Sequence, residues 1–345
     1  MQCPRLDHFV KIRSPNPASK NEVVRVCCHM VNPPDFINYD TMHQSAWLQK
    51  TKDTFNEGIF PVECIRCQQV EELGLTSIRQ HAIEFHNTQT APDYLVADVI
   101  LDNICNSACQ FCGPILSTKI GSLYSANYDI VDNTPHLAEL PLNRIVQLDL
   151  AGGEPSNSKN IKNLLKNLPV NVNSIRLNTN CSSFMNELIP LVKQGIRLSI
   201  TVSTDGINDV HEYVRWPIKW STFLTTLLEY QAFAAAYPSL VDVNLWTTVN
   251  ALNIGDLDNI IRFANDNSLP HSFNMLVFPP PLDIEFSNKL TLLAKAKFAN
   301  SDNEVLNKLS KKIASKCDNQ PQFDSFVEEQ DALRKISIED YIKII

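Results

Sequence analysis

From Tyr94 to Phe278 the chain repeats one pattern, a short apolar run followed by a stretch with helical spacing. The apolar runs Tyr94–Ile104, Ile145–Leu150, Ser174–Asn178, Arg197–Ser203, Val241–Val249 and Phe273–Phe278 have the length and composition of buried strands. Between them, Ser158–Leu168, Phe184–Gln194, Trp220–Ala236 and Ile254–Asn267 read as helices, the last with Leu257, Ile260, Ile261 and Ala264 on one face. A strand that must be followed by a crossover helix pairs in parallel with the next, so six such units predict an α/β fold, a partial (β/α)6 TIM-like barrel of residues 91–280.

The flanks differ in character. Residues 1–90 are rich in Pro, Asn, His and Cys but weak in periodicity, as in a small module stapled by metal. Beyond Pro279-Pro280-Pro281, residues 281–345 read as charged amphipathic helices starting at Ser287, an extension that would cover an open barrel edge or face a partner. With 30 basic and 38 acidic residues the net charge is −8, so nucleic acid is not a favoured partner. The opening MQCPRLDHFVKIRS lacks an apolar core and no run of about 18 apolar residues follows, so no membrane anchor is predicted and a cytoplasmic location is expected. In that compartment ten cysteines, eight of them before residue 113, point to metal ligation or catalysis rather than disulfides.

Three of these, Cys105, Cys109 and Cys112, fall in the loop that follows the first barrel strand. Three thiolates on so short a loop suit one corner of a 4Fe-4S cluster and leave its fourth iron open to a non-protein ligand. Structural zinc, the alternative, prefers four closed ligands, and the nearest histidine, His86, lies on the far side of the strand.

The spacing, with Phe111 just before the third cysteine, resembles the radical S-adenosylmethionine (SAM) superfamily. Later segments strengthen the likeness. Gly152-Gly153-Glu154-Pro155 after the second strand is similar to the segment that in relatives binds the cofactor's amino group. Asn180 ends the third strand, and Ser203, Asp205 and Gly206 end the fourth, followed by His211, Glu212 and Arg215. The resemblance implies that Phe111, Gly152, Gly153, Glu154 and Asn180 bound the SAM pocket, that Ser203 and Asp205 face its ribose, and that Arg215 meets its carboxylate. It also implies reductive cleavage of SAM to a 5′-deoxyadenosyl radical, fed by a flavodoxin- or ferredoxin-like reductant.

A second group comprises Cys3, Cys27, Cys28, Cys64 and Cys67, where Cys64 and Cys67 have the spacing of a pair sharing one metal. Adjacent residues in an extended segment point opposite ways, so only one of Cys27 and Cys28 can face a shared centre, with Cys27 the preferred one. This segment resembles the twitch module, related to SPASM domains, which carries an auxiliary 4Fe-4S cluster and here precedes the barrel. A structural zinc ribbon is the competing reading. Cys181, past the third strand, reads as a small buried hydrophobe with hydrogen donation to a substrate radical as its alternative, and Cys317 has no assigned role. The twitch likeness favours a peptide or protein side chain as substrate; a small molecule or nucleoside, or a zinc-stapled partner-binding protein without activity, are the alternatives.

Overall fold

The computed structural model describes every residue except 14–21, 73, 75, 125–127, 277, 287, 314 and 343–345. Position 277 of the last expected strand, the expected helix start at Ser287 and the end of the C-terminal extension therefore lie outside the described residues.

The architecture is mixed α/β around one eight-stranded sheet. In chain order the strands are β1 (Phe9–Ile12), β2 (Val24–Arg25), β3 (Leu95–Val99), β4 (Ile145–Leu150), β5 (Ser174–Thr179), β6 (Arg197–Ser203), β7 (Val241–Val249) and β8 (His271–Met275). They lie in the order β2-β1-β3-β4-β5-β6-β7-β8, all parallel except for the antiparallel pair β1–β2. Strands β3 to β8 are the six expected from the sequence. The segment before residue 91 adds β1 to their edge, with Val10 opposite Ala97 and Ile12 opposite Val99.

Alternation along the strands sorts the side chains. Leu148, Leu150, Ile175, Leu177, Leu198, Ile200, Val202, Val243 and Leu245 are buried in the main core, packed against the helices outside the sheet. Their neighbours in sequence, including Asp149, Arg176, Asn178, Ser199, Thr201 and Asn244, line one cavity of about 370 Å³ on the other face. A flat sheet of six strands would be roughly 24 Å wide. One cavity of this size can touch all of β3 to β8 only because the sheet curls around it, yet it does not close, since β2 and β8 remain as edges.

Residues 1–90 occupy that open side. Helix Ile65–Glu72 packs on β8, and His29 sets its ring edge-on to Trp246 of β7 at 6.4 Å. The helices Lys289–Phe298, Glu304–Lys312 and Gln320–Arg334 form the C-terminal extension; the first two build a core with Val249 and the helix Leu257–Asp266, and the third packs through Phe323 and Val327 near Tyr213 and Val214.

The first and last barrel strands differ most from expectation, and the helix expected at Phe184–Gln194 is shorter, Leu188–Lys193. The first barrel strand was expected to reach Ile104 but ends at Val99, because Asp102 and Asn103 spend their side chains on the backbone: Asp102 Oδ1 accepts from Ile104 N at 3.2 Å and Asn103 Oδ1 from Val131 N at 3.0 Å. The last strand is shifted toward its start, His271–Met275 rather than Phe273–Phe278, ending before the Pro run.

Candidate functional site

The loop carrying Cys105, Cys109 and Cys112 is fixed on three sides. From the segment after β6, Trp216 and Val214 accept the N–H groups of Ala108 (2.6 Å) and Gln110 (2.9 Å). From its own continuation, Thr118 Oγ1 accepts from Cys105 N at 3.2 Å and Ser117 Oγ donates to the Ser107 carbonyl at 2.6 Å. From the C-terminal extension, Arg334 donates Nε to the Ala108 carbonyl (2.9 Å) and Nη2 to that of Cys109 (3.3 Å). Arg334 is almost fully buried and lies more than 200 residues away in sequence, so no local pattern could have marked it.

Burial and like-charge repulsion favour the protonated thiols of Cys105 and Cys112. Burial pushes Cys105 up, with Cys109 and Cys112 adding like-charge repulsion, and the same two causes, burial and Cys109, raise Cys112 to about 12. A cationic centre placed among them would reverse that balance, since thiolates in low dielectric are stabilised by a metal's charge. The donor set thus fits an iron–sulfur centre.

The strand-end residues picked out by sequence converge on this loop. Gly152 and Gly153 have φ of +84° and +54°, and a Cβ on Gly153 would come within 2.4 Å of the Ile104 carbonyl oxygen. Only glycine therefore lets this turn lie against the loop, where Glu154 N donates to Ile104 at 2.7 Å. The buried Glu154 carboxylate accepts at Oε1 from Ser156 N, Ser156 Oγ and Thr179 Oγ1, and at Oε2 from Asn180 N at 2.7 Å. Burial raises its pKa, and these donors oppose that shift. The amide of Asn180 donates to Asn106 Oδ1 at 2.9 Å, inside the cysteine loop.

Beyond β6, at the end of the helix Asp209–Val214, Arg215 donates Nε and Nη2 to Asp205 Oδ2 at 2.7 and 2.6 Å, while Asp205 Oδ1 accepts from Thr248 N. Its Nη1 points to Cys109 Sγ at 3.9 Å, and its guanidinium lies 5.9 Å from the Phe111 ring. Asp205 is fully buried, and its contacts run to Arg215 and Thr248, so it acts by orienting the guanidinium. Ser203 lies apart from this pair and lines the cavity within the sheet.

The N-terminal cysteines separate into four and one. Cys3, Cys27, Cys64 and Cys67 line one enclosed space of about 20 Å³ together with Arg5 and Arg79. Burial raises Cys3 to about 12 and Cys67 to about 11, with Cys27 next among the causes for both. Burial also raises Cys64, followed by Cys27, Cys3 and Cys67. Arg5, buried, donates Nε to Cys27 Sγ at 3.2 Å. Cys28 also receives Arg5, Nη2 to its Sγ at 3.5 Å, and borders the cavity within the sheet. Among the described residues no three His, Cys, Asp or Glu side chains converge as they would around a single metal ion. Four thiols around one space are the number that closes either a structural zinc or an iron–sulfur centre, and the donor set fits both.

Cys181 is buried with φ +61°, its sulfur turned to the Phe223 carbonyl at 3.7 Å, and Cys317 is exposed. No described helix is long and apolar enough to cross a membrane.

No family model and no curated protein matches this chain. Solved structures with a similar fold include anSMEcpe with bound AdoMet, 14% identical with a TM-score of 0.41 over 62% of each chain. Streptococcus suis SuiB bound to precursor peptide SuiA is 12% identical with a TM-score of 0.38, covering 66% of this chain and 52% of that one. The radical S-adenosylmethionine methyltransferase TsrM from Kitasatospora setae, with cobalamin and a 4Fe-4S cluster bound, is 12% identical with a TM-score of 0.38, covering 60% of this chain and 40% of that one. The match thus spans less than two thirds of each of these chains, and likeness this faint carries no functional information.

Proposed function

We propose that this chain is a radical SAM enzyme of the N-terminal-twitch type, acting in the cytoplasm on a peptide or protein side chain. The observation that carries the reading is convergence: Glu154 after β4, Asn180 after β5, and Arg215 at the end of the helix Asp209–Val214 that follows β6 each reach the loop of Cys105, Cys109 and Cys112. Random polar strand ends have no reason to meet one cysteine loop.

When bound to the three thiolates, a 4Fe-4S cluster supplies the electron that cleaves SAM to methionine and a 5′-deoxyadenosyl radical. Around it, Arg215, with Nε and Nη2 held on Asp205, directs Nη1 toward the cysteine loop, where it would meet the cofactor's carboxylate. Glu154 Oε2 accepts one hydrogen bond and has capacity for the cofactor's amino group. Ser203 offers a hydroxyl to the ribose, and Phe111 an apolar face. Arg334 and the C-terminal helix hold the loop's backbone and, with residues 1–90, limit access of water to the centre. Cys3, Cys27, Cys64 and Cys67 hold an auxiliary cluster beside the cavity, and a flavodoxin- or ferredoxin-like protein supplies electrons.

The test is anaerobic reconstitution, reduction and measurement of 5′-deoxyadenosine from SAM. Cys105→Ala should abolish its release, whereas Cys64→Ala should retain cleavage and lose turnover of the true substrate. Release by Cys105→Ala equal to the parent would overturn the assignment.

A further inference from the structure

The cavity enclosed by the sheet is polar where a barrel of parallel strands usually packs branched apolar side chains. Its charges cancel in pairs. Lys11 Nζ meets Asp98 Oδ1 at 2.5 Å, and Arg176 Nη1 lies 3.7 Å from Asp149 Oδ2, whose other oxygen accepts from Gln147. Above these pairs, Asn178, Thr201, Asn244 and Ser272 face the space, and their side chains have no hydrogen-bond partner among the described residues. Two amides and two hydroxyls with unspent donors and acceptors, on a wall whose ions are already matched, favour a neutral ligand group that both gives and receives hydrogen bonds.

A second space of about 620 Å³ opens beside Phe111 and Cys112, and Cys28 borders both this groove and the cavity. The character of the groove is different. Phe111, Leu116, Tyr124, Phe278 and Phe326 line it, with Phe278 74% exposed, alongside Lys11, Arg13 and Arg25, whose charges are met by Asp98 and Asp35. An apolar surface of this kind is satisfied by apolar side chains, and a groove that neighbours a polar cavity across Cys28 suits an extended chain that drops one residue inward.

Resting on the radical SAM reading above, we propose that the substrate is a peptide in which an uncharged amide or hydroxyl side chain enters the polar cavity while apolar neighbours lie in the groove. An apolar side chain in the cavity would leave Asn178 and Asn244 dry and unpaired, and a charged one would face ions that already have partners.

Fluorescein-labelled heptapeptides that share Leu and Phe flanks and carry Asn, Ser, Leu, Lys or Asp at the centre provide the probe, titrated by anisotropy into the reconstituted full-length protein. The Asn and Ser peptides should bind at least about tenfold more tightly than the other three, the effect of one or two buried hydrogen bonds. The double variant Asn178→Ala, Asn244→Ala should shrink that ratio to within about twofold, while Phe278→Ala should weaken all five peptides alike. Equal binding of the five, preference for Leu, Lys or Asp, or an unchanged ratio in the double variant overturns the proposal. Displacement of the Asn peptide by uridine or glucose at lower concentration than by unlabelled peptide overturns it as well. Release of 5′-deoxyadenosine by the same preparations separates the failures: release without central-residue preference sinks the substrate class alone, and preference without release sinks the radical chemistry on which it rests.

Discussion

Arg334 and Cys109 are joined by a hydrogen bond from Nη2 to the cysteine carbonyl at 3.3 Å, with Nε on the neighbouring Ala108 carbonyl and Nη1 on Gln330. One buried guanidinium thus ties the last long helix to the cysteine loop. Arg334→Gln strands two loop carbonyls and should cost about 2–4 kcal/mol of stability. Urea unfolding measures that loss, and iron content of the reconstituted variant should fall at the Cys105 site. Retention of both values would show the contact to be incidental.

The two adjacent cysteines should behave differently. Cys27 shares a space with Cys3, Cys64 and Cys67, and Cys28 faces the cavity within the sheet. Cys27→Ala should therefore lower iron from about eight to about four per chain, and Cys28→Ala should leave it near eight. The reverse result would reassign the ligand.

Gly153→Ala places a methyl group 2.4 Å from a backbone oxygen at a φ of +54°. The left-handed conformation alone costs about 1–2 kcal/mol for an L-residue, and a carbonyl cannot swing aside as a flexible side chain can. The turn should open, lowering the thermal midpoint and weakening SAM binding measured by calorimetry. An unchanged affinity would remove this turn from the cofactor pocket.

Acid should destabilise the fold through buried histidines. Burial depresses His211 to about 3, with Arg215 adding repulsion, and depresses His271 to about 4. Both ring nitrogens of His211 lack a partner among the described residues, and the ring packs on Trp220 and Phe223. Between the folded value and the unfolded 6.5, the unfolded chain binds a proton that the folded one refuses. Their contribution is complete above the unfolded value and is lost as pH falls toward 4 and then 3, with a slope of about 1.4 kcal/mol per pH unit for each residue. His211→Phe should flatten that slope relative to the parent when urea midpoints near pH 7 and about pH 5 are compared. An identical slope would mean that His211 is protonated within the fold.

Much of the sheet was legible because its strands are short apolar runs set between stretches of helical spacing. Ile145–Leu150, Arg197–Ser203 and Val241–Val249 and the helix Trp220–Ala236 have the bounds read from sequence. In contrast, β1 is four residues long and buried throughout, so it has no alternation to read, and its partner Leu95–Val99 is far along the chain. The cysteine loop was legible through local spacing. Arg334, Arg5 and Lys11 were not, because each acts on a residue brought near only by the fold. The same holds for the polar cavity: Asp98, Asp149, Asn178, Thr201, Asn244 and Ser272 come from six strands and meet only where the sheet curls.

The pairing of β1 with β3 bears on how this chain can be dissected. Leu95, Val96, Ala97 and Val99 are wholly shielded, and on one flank the shield is a strand contributed by residues 9–12. Deleting the first ninety residues would leave β3 as a bare, flat, apolar margin with its amides unmet, a template on which copies would stack. The cysteine-bearing segment is therefore a structural stave of the central sheet, and a truncated version should come out of cells as aggregate rather than as a smaller enzyme.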